Sequence, residues 1–137
     1  MKLTPYLHLP GNCEEAFHFY QTTLNGKITY IGYYGDSPMA DHVGPDFAKK
    51  IMHITLEFDG QLLHGCDAPP DMQGKLQGIT LCLEGSDLAH AEKLFHAIAD
   101  GGNVTMPFQK TFWSAGFGML NDKFGVPWMV NCAQPHP

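Results

Sequence analysis

Two short stretches of helical periodicity, set in a chain that otherwise alternates like β-strands, restrict the fold more than any other feature of the sequence. Apolar residues recur at spacings of three and four over residues 13–24 and again over Leu88–Ala99. This spacing predicts one apolar face on each of two amphipathic helices. Segments with the alternation of β-strands lie before and after each helix. The chain therefore contains the order of one strand, one helix and three strands twice.

Residues that start and stop helices bound both segments. Asn12 is a natural N-cap for the first helix, with Glu15 placed as in a capping box. Asn25-Gly26 supplies a left-handed stop. Ser86 or Asp87 is the predicted N-cap of the second helix. The sequence therefore predicts where both helices begin.

Eight segments with period two, β-branched or aromatic residues and turn residues at their ends predict strands. Asp59-Gly60 predicts a two-residue hairpin between the third and fourth. Residues 35–50 have no period and contain Gly, Pro and Asp, which indicates a long mobile loop. The predicted strands are residues 3–9, 27–34, 51–58, 61–67, 78–84, 103–109, 114–120 and 127–132.

We therefore predict an α+β protein, a single domain over residues 1–137, in which two βαβββ modules form curved mixed sheets around a cavity. The helices lie on the convex face. The first module spans residues 1–68 and the second residues 75–133, with Pro69-Pro70 in the linker. A faint repeat supports two modules, because Phe19-Tyr20 before Asn25-Gly26 resembles Leu94-Phe95 before Asp100-Gly101.

The charge balance and the cysteines narrow the class of protein. Eight Lys plus Arg against fourteen Asp plus Glu give a net charge of -6, which argues against nucleic acid as a partner because phosphate binding needs clustered cations. The N-terminal residues lack the apolar run of a signal peptide or membrane span. The four cysteines form no C-x-x-C pair, so we predict reduced thiols in a cytoplasmic protein that does not bind membranes.

Strand alternation assigns side chains to two faces. The predicted helix-facing core contains Leu7, Leu9, Met52, Ile54, Leu56, Phe58, Ile79, Leu81, Leu83, Trp128 and Val130. The opposite, cavity-facing set contains Tyr6, His8, His53, Thr55, Glu57, Leu62, His64, Cys66, Thr80, Cys82, Glu84, Pro127, Met129 and Asn131. A slip of one residue in any strand would exchange the two faces.

Three of the eight histidines, with one carboxylate, fall on this cavity face. His8, His53, His64 and Glu57 could bind a metal or move protons. The alternative is that each histidine is hydrogen-bonded to a neighbour, which is commoner on a half-buried strand. The remaining histidines are expected to be solvated and without a chemical role: His18, His42, His90, His96 and His136.

The segment over residues 111–118 combines aromatic residues with glycines. It predicts either a hairpin packed by its own rings or a wall, with Trp113 and Phe117, that stacks on a flat or apolar ligand. Cys66 and Cys82 could be reactive, but no Lys or Arg adjacent in sequence would lower the pKa of either thiol. Inert packing is therefore the favoured interpretation of both.

Several motifs resemble PhnB-like proteins of the vicinal oxygen chelate superfamily, which includes glyoxalase I, bleomycin-resistance proteins and extradiol dioxygenases. The N-terminal matches are Pro5-Tyr6-Leu7, Gly11-Asn12-Cys13, Ala16, Phe19-Tyr20 and Ile51-Met52-His53; the C-terminal matches are Thr111-Phe112-Trp113, Gly116-Phe117-Gly118 and residues 122–131. The resemblance covers nearly the whole chain. It implies paired βαβββ modules in a homodimer.

The resemblance also implies where a divalent metal would be held, on the first, fourth, fifth and eighth strands. The matching positions here are Pro5 or Tyr6, His64, Gly78 and Met129. One imidazole does not hold a metal that needs about three protein ligands, so no cofactor is expected. The demethylubiquinone methyltransferase label of this branch would need a glycine-rich turn in a parallel sheet, and neither the glycine pattern nor the topology fits.

Three functions remain open, and the sequence does not decide whether the chain is an enzyme. The first is metal-free binding of a small organic molecule by residues of the cavity face: Tyr6, His8, His53, His64, Thr80, Cys82, Trp113, Phe117, Met129 and Asn131. The second is a metal-dependent or acid/base lyase, isomerase or dioxygenase that uses His64 with His8, His53 or Glu57. The third is a structural or protein-interaction module.

Overall fold

A computed structural model describes residues 1–134 of the chain, so His136 lies outside the described residues. The strands are β1 (Tyr6–Leu9), β2 (Lys27–Tyr33), β3 (Ile51–Phe58), β4 (Gln61–Asp67), β5 (Leu81–Gly85), β6 (Asn103–Gln109), β7 (Ser114–Asn121) and β8 (Pro127–Ala133). The helices are α1 (Cys13–Thr23), α2 (Ala40–Val43) and α3 (Leu88–Ala99). None of the helices in residues 1–134 is long and apolar enough to cross a bilayer.

The strands form two four-stranded sheets with the same arrangement. The first has the order β1-β4-β3-β2 and the second β5-β8-β7-β6. In each sheet one pair, β1 with β4 or β5 with β8, is parallel and the other pairs are antiparallel. The chain divides into two compact units, Met1–Gly74 and Lys75–Pro137. The α+β class and the two βαβββ modules are thus confirmed.

The first module buries one face of its sheet under α1. Phe17 and Tyr20 on the helix are fully buried, as are Leu9, Ile54 and Leu56 on the strands. Each such side chain contributes about 1.5–3 kcal/mol by leaving water. The strand alternation therefore assigned these positions correctly.

The second module repeats this packing with α3. Phe95 and Ile98 on the helix are fully buried, and Trp128 and Val130 on β8 are buried as predicted. Asp122 ties the β7–β8 turn to this core, because its carboxylate accepts hydrogen bonds from the indole Nε1 of Trp128 at 2.9 Å and from two turn amides.

Two strands begin later than the period of two predicts. β1 starts at Tyr6, where pairing opens with the His64 amide donating to the Pro5 carbonyl. β5 starts at Leu81, because Gly78 has a φ of 80°, which interrupts an extended chain. The placement of Ile79 in the core was wrong, since its side chain is 75% exposed.

The N-terminus of α1 is not capped as predicted. The side chain of Asn12 makes no capping bond, and the amide of Cys13 instead donates to Oδ1 of the buried Asp67 at 2.9 Å. Two other predictions are confirmed. Asp87 caps α3, since its carboxylate accepts from the His90 amide. Asp59-Gly60 forms the predicted hairpin turn, with positive φ at both residues.

Residues 35–50 are not a structureless loop. They contain α2 and helical turns ending at Asp36 and Phe47. The ends of the segment are joined by backbone hydrogen bonds, from Tyr34 to Lys50 at 3.0 Å and from Gly35 to Ala48 at 2.9 Å.

Candidate functional site

The face of the first sheet opposite α1 carries a compact group of polar and aromatic side chains, which we call the histidine face: Tyr6, His8, His53, Thr55, His64 and Cys66. Strand register produces it. His64 on β4 lies opposite Tyr6 on β1 and opposite Thr55 on β3. Residues directly opposite on neighbouring strands share a face, so the order β1-β4-β3 brings these side chains together.

A continuous chain of hydrogen bonds crosses the histidine face. The Tyr6 hydroxyl lies 3.0 Å from Nδ1 of His53, Nε2 of His53 lies 3.3 Å from Oγ1 of Thr55, and that oxygen lies 2.9 Å from Nδ1 of His64. The three rings are also close, with 4.9 Å between the centroids of His53 and His64. Side chains from three strands thus form one hydrogen-bonded unit.

The tautomer of His64 decides what its Nε2 offers to a ligand. If Thr55 donates to Nδ1 of His64, then His53 donates to Thr55, the Tyr6 hydroxyl donates to His53, and Nε2 of His64 carries an N–H. If Nδ1 of His64 donates to Thr55, Nε2 of His64 is an acceptor, and the Thr55 hydroxyl either accepts from His53 as well or donates to it. Nε2 of His64 makes no hydrogen bond within residues 1–134, so it is available to a ligand in either tautomer.

Burial favours the uncharged forms of His53 and Tyr6. Burial and then the neighbouring His64 lower the pKa of His53 below its usual 6.5. Burial, followed by Cys66, raises the pKa of the Tyr6 hydroxyl. Both side chains are therefore held in the neutral forms that can donate and accept hydrogen bonds.

Cys66 and His8 form a second pair on the same face. The Cys66 sulfur lies 3.5 Å from Nδ1 of His8, and burial raises the pKa of the thiol. The pair is thus a neutral thiol beside an imidazole. An ion pair of thiolate and imidazolium would need a lowered thiol pKa.

The structure does not bring Glu57 into the group. Its side chain is exposed and makes no hydrogen bond to a histidine among residues 1–134. His18 and His96 lie on exposed helix faces, each within 4.0 Å of a glutamate one turn earlier. Tyr30, which the sequence did not single out, has its ring 5.8 Å from that of His53.

The second sheet also has an open face. Cys82 lies opposite Met129, and Phe117 lies opposite Asn131. The ring of Trp113 is 5.5 Å from that of Phe117. Oδ1 of Asn131 is buried and has no hydrogen-bond partner in the part of the chain that the structure describes. Thr80, by contrast, precedes β5 and is not part of this sheet.

A separate depression of about 570 Å³ lies in the first module. It is lined by Glu14, Tyr33, Gly35, Asp36, Ala48 and Lys49. The Tyr33 hydroxyl donates to Glu14 at 3.1 Å. No sequence motif marked these residues, because they come together only when the ordered segment 35–50 folds back.

Paired βαβββ modules define the class of protein as the vicinal oxygen chelate fold. A fosfomycin resistance protein, FosX, from Listeria monocytogenes shares this fold, with a TM-score of 0.65 at 10% identity over 97% of this chain and 94% of its own. The model of the family described as 3-demethylubiquinone-9 3-methyltransferase matches residues 1–131. The chain belongs to this PhnB-like family.

Three relatives support the assignment. Protein YjdN of Escherichia coli strain K12 is 34% identical over all of this chain and 99% of its own length. Protein PA1353 from Pseudomonas aeruginosa is 41% identical with a TM-score of 0.89, covering 98% of this chain and 99% of that one. A PhnB protein from Bacillus cereus is 28% identical with a TM-score of 0.82, covering 97% and 100%.

The glyoxalase-type metal set does not fit the residues at the implied positions. Pro5 and Gly78 have no side-chain donor, and the thioether of Met129 is a soft ligand that hard divalent ions disfavour. Within residues 1–134, no three His, Cys, Asp or Glu side chains are arranged to hold a metal ion. If Tyr6 takes the first position in place of Pro5, burial raises the pKa of its hydroxyl and disfavours the phenolate that would bind a metal. His64 is therefore the one imidazole at these four positions.

Proposed function

We propose that the protein binds a small organic molecule on the histidine face, without the glyoxalase-type metal set. The observation that carries this proposal is the hydrogen-bonded chain from Tyr6 through His53 and Thr55 to His64, whose Nε2 has no hydrogen bond within residues 1–134. A binding site needs few but fixed polar anchors within a largely apolar surround. These hydrogen bonds hold the imidazole of His64 in position in the absence of a ligand.

The surrounding side chains indicate the chemistry of the ligand. Tyr6 is 41% exposed and Tyr30 is 52% exposed, so both rings can contact a flat or apolar group. The uncharged forms of His53 and Tyr6 favour a hydrogen-bonding group over a strong charge. We therefore propose a ligand with a carbonyl, amide or hydroxyl group beside an aromatic or alkyl portion.

A histidine-detected NMR screen tests the proposal. Aromatic ketones, amides and phenols would be added to protein carrying ¹³C-labelled imidazoles. A ligand should shift the His53 and His64 resonances, and His64→Ala should weaken its binding at least tenfold because the anchoring nitrogen is removed. His18→Ala, on the exposed face of α1, is the matched control. Equal affinity in the wild type and His64→Ala would exclude the site.

The same chain favours one alternative, an acid/base lyase or isomerase. When every hydrogen bond of the chain reverses, the Tyr6 oxygen gives a proton to His53 and takes one up from water, while Nε2 of His64 releases its proton to the substrate. General acid/base catalysis of this kind contributes about 10²–10⁴ in rate. Ligands from the screen would be incubated in D₂O and followed by NMR for exchange at carbon next to a carbonyl. Exchange lost in His53→Gln and kept in Glu57→Gln would support catalysis; unchanged exchange in His53→Gln would exclude it.

We further propose that the protein is a cytoplasmic homodimer. All four cysteines are free, which suits a reducing compartment. Phe112 is 91% exposed and Trp113 is 50% exposed in the single chain. Exposed neighbouring aromatic rings are typical of a surface that a partner covers.

A further inference from the structure

Residues that contain sulfur form one row of paired positions across the whole second sheet. Met106 on β6 lies opposite Met119 on β7, Met119 lies opposite Met129 on β8, and Met129 lies opposite Cys82 on β5. All four strands thus contribute one sulfur-bearing side chain to the same row. We call these residues the sulfur row: Met106, Met119, Met129 and Cys82.

The sulfur row lies on the open face of the sheet, opposite α3. The residues that alternate with it, Leu120 and Trp128, are buried in the helix-facing core. Met119 and Met129 are half-buried and Cys82 is exposed. These side chains can therefore be reached by a small ligand from outside the core.

Neighbouring strands lie about 4.8 Å apart, and methionine has three rotatable bonds before its methyl group. Thioethers on adjacent strands can therefore turn toward a common point. The outer members of the row are three strand spacings apart, about 14 Å, so one ion cannot contact both. The Cys82 end is the stronger site because it adds a cysteine sulfur. Burial and then Glu84 raise the pKa of this thiol, so it becomes a thiolate only when a metal displaces its proton.

We propose that Met119, Met129 and Cys82 bind one Cu(I) ion on this face. Thioether and thiolate ligands select Cu(I) over hard divalent ions. On binding, a Cu–S bond forms, the Cys82 S–H bond breaks and the proton leaves. Oε1 of Glu84, which accepts from the Cys82 thiol at 3.8 Å, can take up this proton. No change in the oxidation state of the metal is needed.

Metal titrations of the full chain test this proposal. Ag(I), a redox-inert substitute, would be titrated by calorimetry, and Cu(I) would be measured by anaerobic competition with bicinchoninate. We expect one equivalent to bind with sulfur-only coordination by X-ray absorption. Met129→Leu, Met119→Leu and Cys82→Ser should each lower affinity at least tenfold, and Met→Leu retains side-chain volume and folding.

The row supplies its own control. Met106→Leu changes a thioether on the same face, one strand beyond the proposed ligands, and should leave affinity unchanged. Cys66→Ser controls for the thiol on the histidine face. Nitrogen in the coordination shell, a tenfold loss in Cys66→Ser or Met106→Leu, or full affinity in Met129→Leu would each overturn the proposal. The histidine-face proposal is unaffected by any of these results.

Discussion

At the scale of single residues, Asp67 connects segments that are distant in sequence. Its side chain is 1% exposed. One carboxylate oxygen accepts from the Cys13 amide at 2.9 Å and the other from the Ile51 amide at 2.8 Å. Its carbonyl accepts from the Tyr34 hydroxyl at 2.9 Å. Asp67 thus fixes the starts of α1 and β3 against the end of β4.

Asp67→Asn should lower the free energy of unfolding by about 1–3 kcal/mol, the usual cost of leaving a buried donor unsatisfied. The amide keeps the shape of the side chain but places an NH₂ group against one backbone N–H. Urea denaturation followed by circular dichroism measures the loss. Asp71→Asn, on an exposed turn, is the control, and equal midpoints for the two variants would contradict this role.

The lowered pKa of His53 gives stability a predictable pH dependence. Below its usual pKa of 6.5 the unfolded chain binds a proton that the folded chain excludes. The contribution is therefore fully present above pH 6.5 and is lost as pH falls through the folded pKa. Denaturation midpoints between pH 7.5 and pH 5 should fall less steeply in His53→Gln than in the wild type. Parallel slopes would refute the shift, and His18→Gln controls for an exposed histidine.

At the scale of elements, α1 and α3 each pack an aromatic ring directly onto a glycine of the sheet that they cover. A Cβ at Gly65 would lie 2.6 Å from the Phe17 ring of α1, and one at Gly118 would lie 2.6 Å from the Phe95 ring of α3. Both distances are far below van der Waals contact. The absence of a side chain on these strands therefore sets how closely the helices approach.

Gly65→Ala should destabilise the protein by about 1–3 kcal/mol, as overpacking of a filled core does. Gly85→Ala is a matched control on β5, because nothing lies within 4 Å of its Cβ position and its φ is not positive. Thermal and urea unfolding of both variants measure the difference. A Gly65→Ala variant as stable as Gly85→Ala would show that Phe17 moves aside without cost.

The elements also show what sequence can predict. Alternation placed His53, His64 and Tyr6 on one face because β1, β3 and β4 keep a regular period of two there. It misplaced Ile79 because Gly78 breaks the extended chain before β5 begins. The sequence favours Asn12 as the cap of α1 because Asn12 directly precedes the helix. The observed acceptor, Asp67, lies on β4 and is 54 residues away from Cys13. The sulfur row depends on the register between neighbouring strands. This register cannot be predicted from the alternation within one strand.

At the scale of the whole molecule, both modules have the same design. In each, one helix covers one face of a four-stranded mixed sheet, and the other face stays open with polar or sulfur-bearing side chains. A buried aspartate fixes each module, Asp67 in the first and Asp122 in the second. The repeat predicted from the sequence therefore extends from element order to the type of residue that anchors each unit.

The proposed homodimer leads to a prediction about mass and fluorescence. The rings of Phe112 and Trp113 stack edge to face at 4.7 Å, and covering them removes apolar area from water. Light scattering should give twice the 15.2 kDa of the chain. Dilution should shift Trp113 emission to the red, while the buried Trp128 stays constant; Trp113→Phe isolates the Trp128 signal.

Replacing both rings, Phe112→Ser with Trp113→Ser, should dissociate the dimer without unfolding either module, because neither ring is part of the helix-facing core. Met72→Ser removes another exposed apolar side chain, 72% accessible in the first module, and should leave the mass unchanged. A double variant that remains dimeric would move the interface elsewhere. A wild type that stays at the mass of one chain would refute self-association. The two exposed aromatic rings would then not be covered by a second copy of the chain.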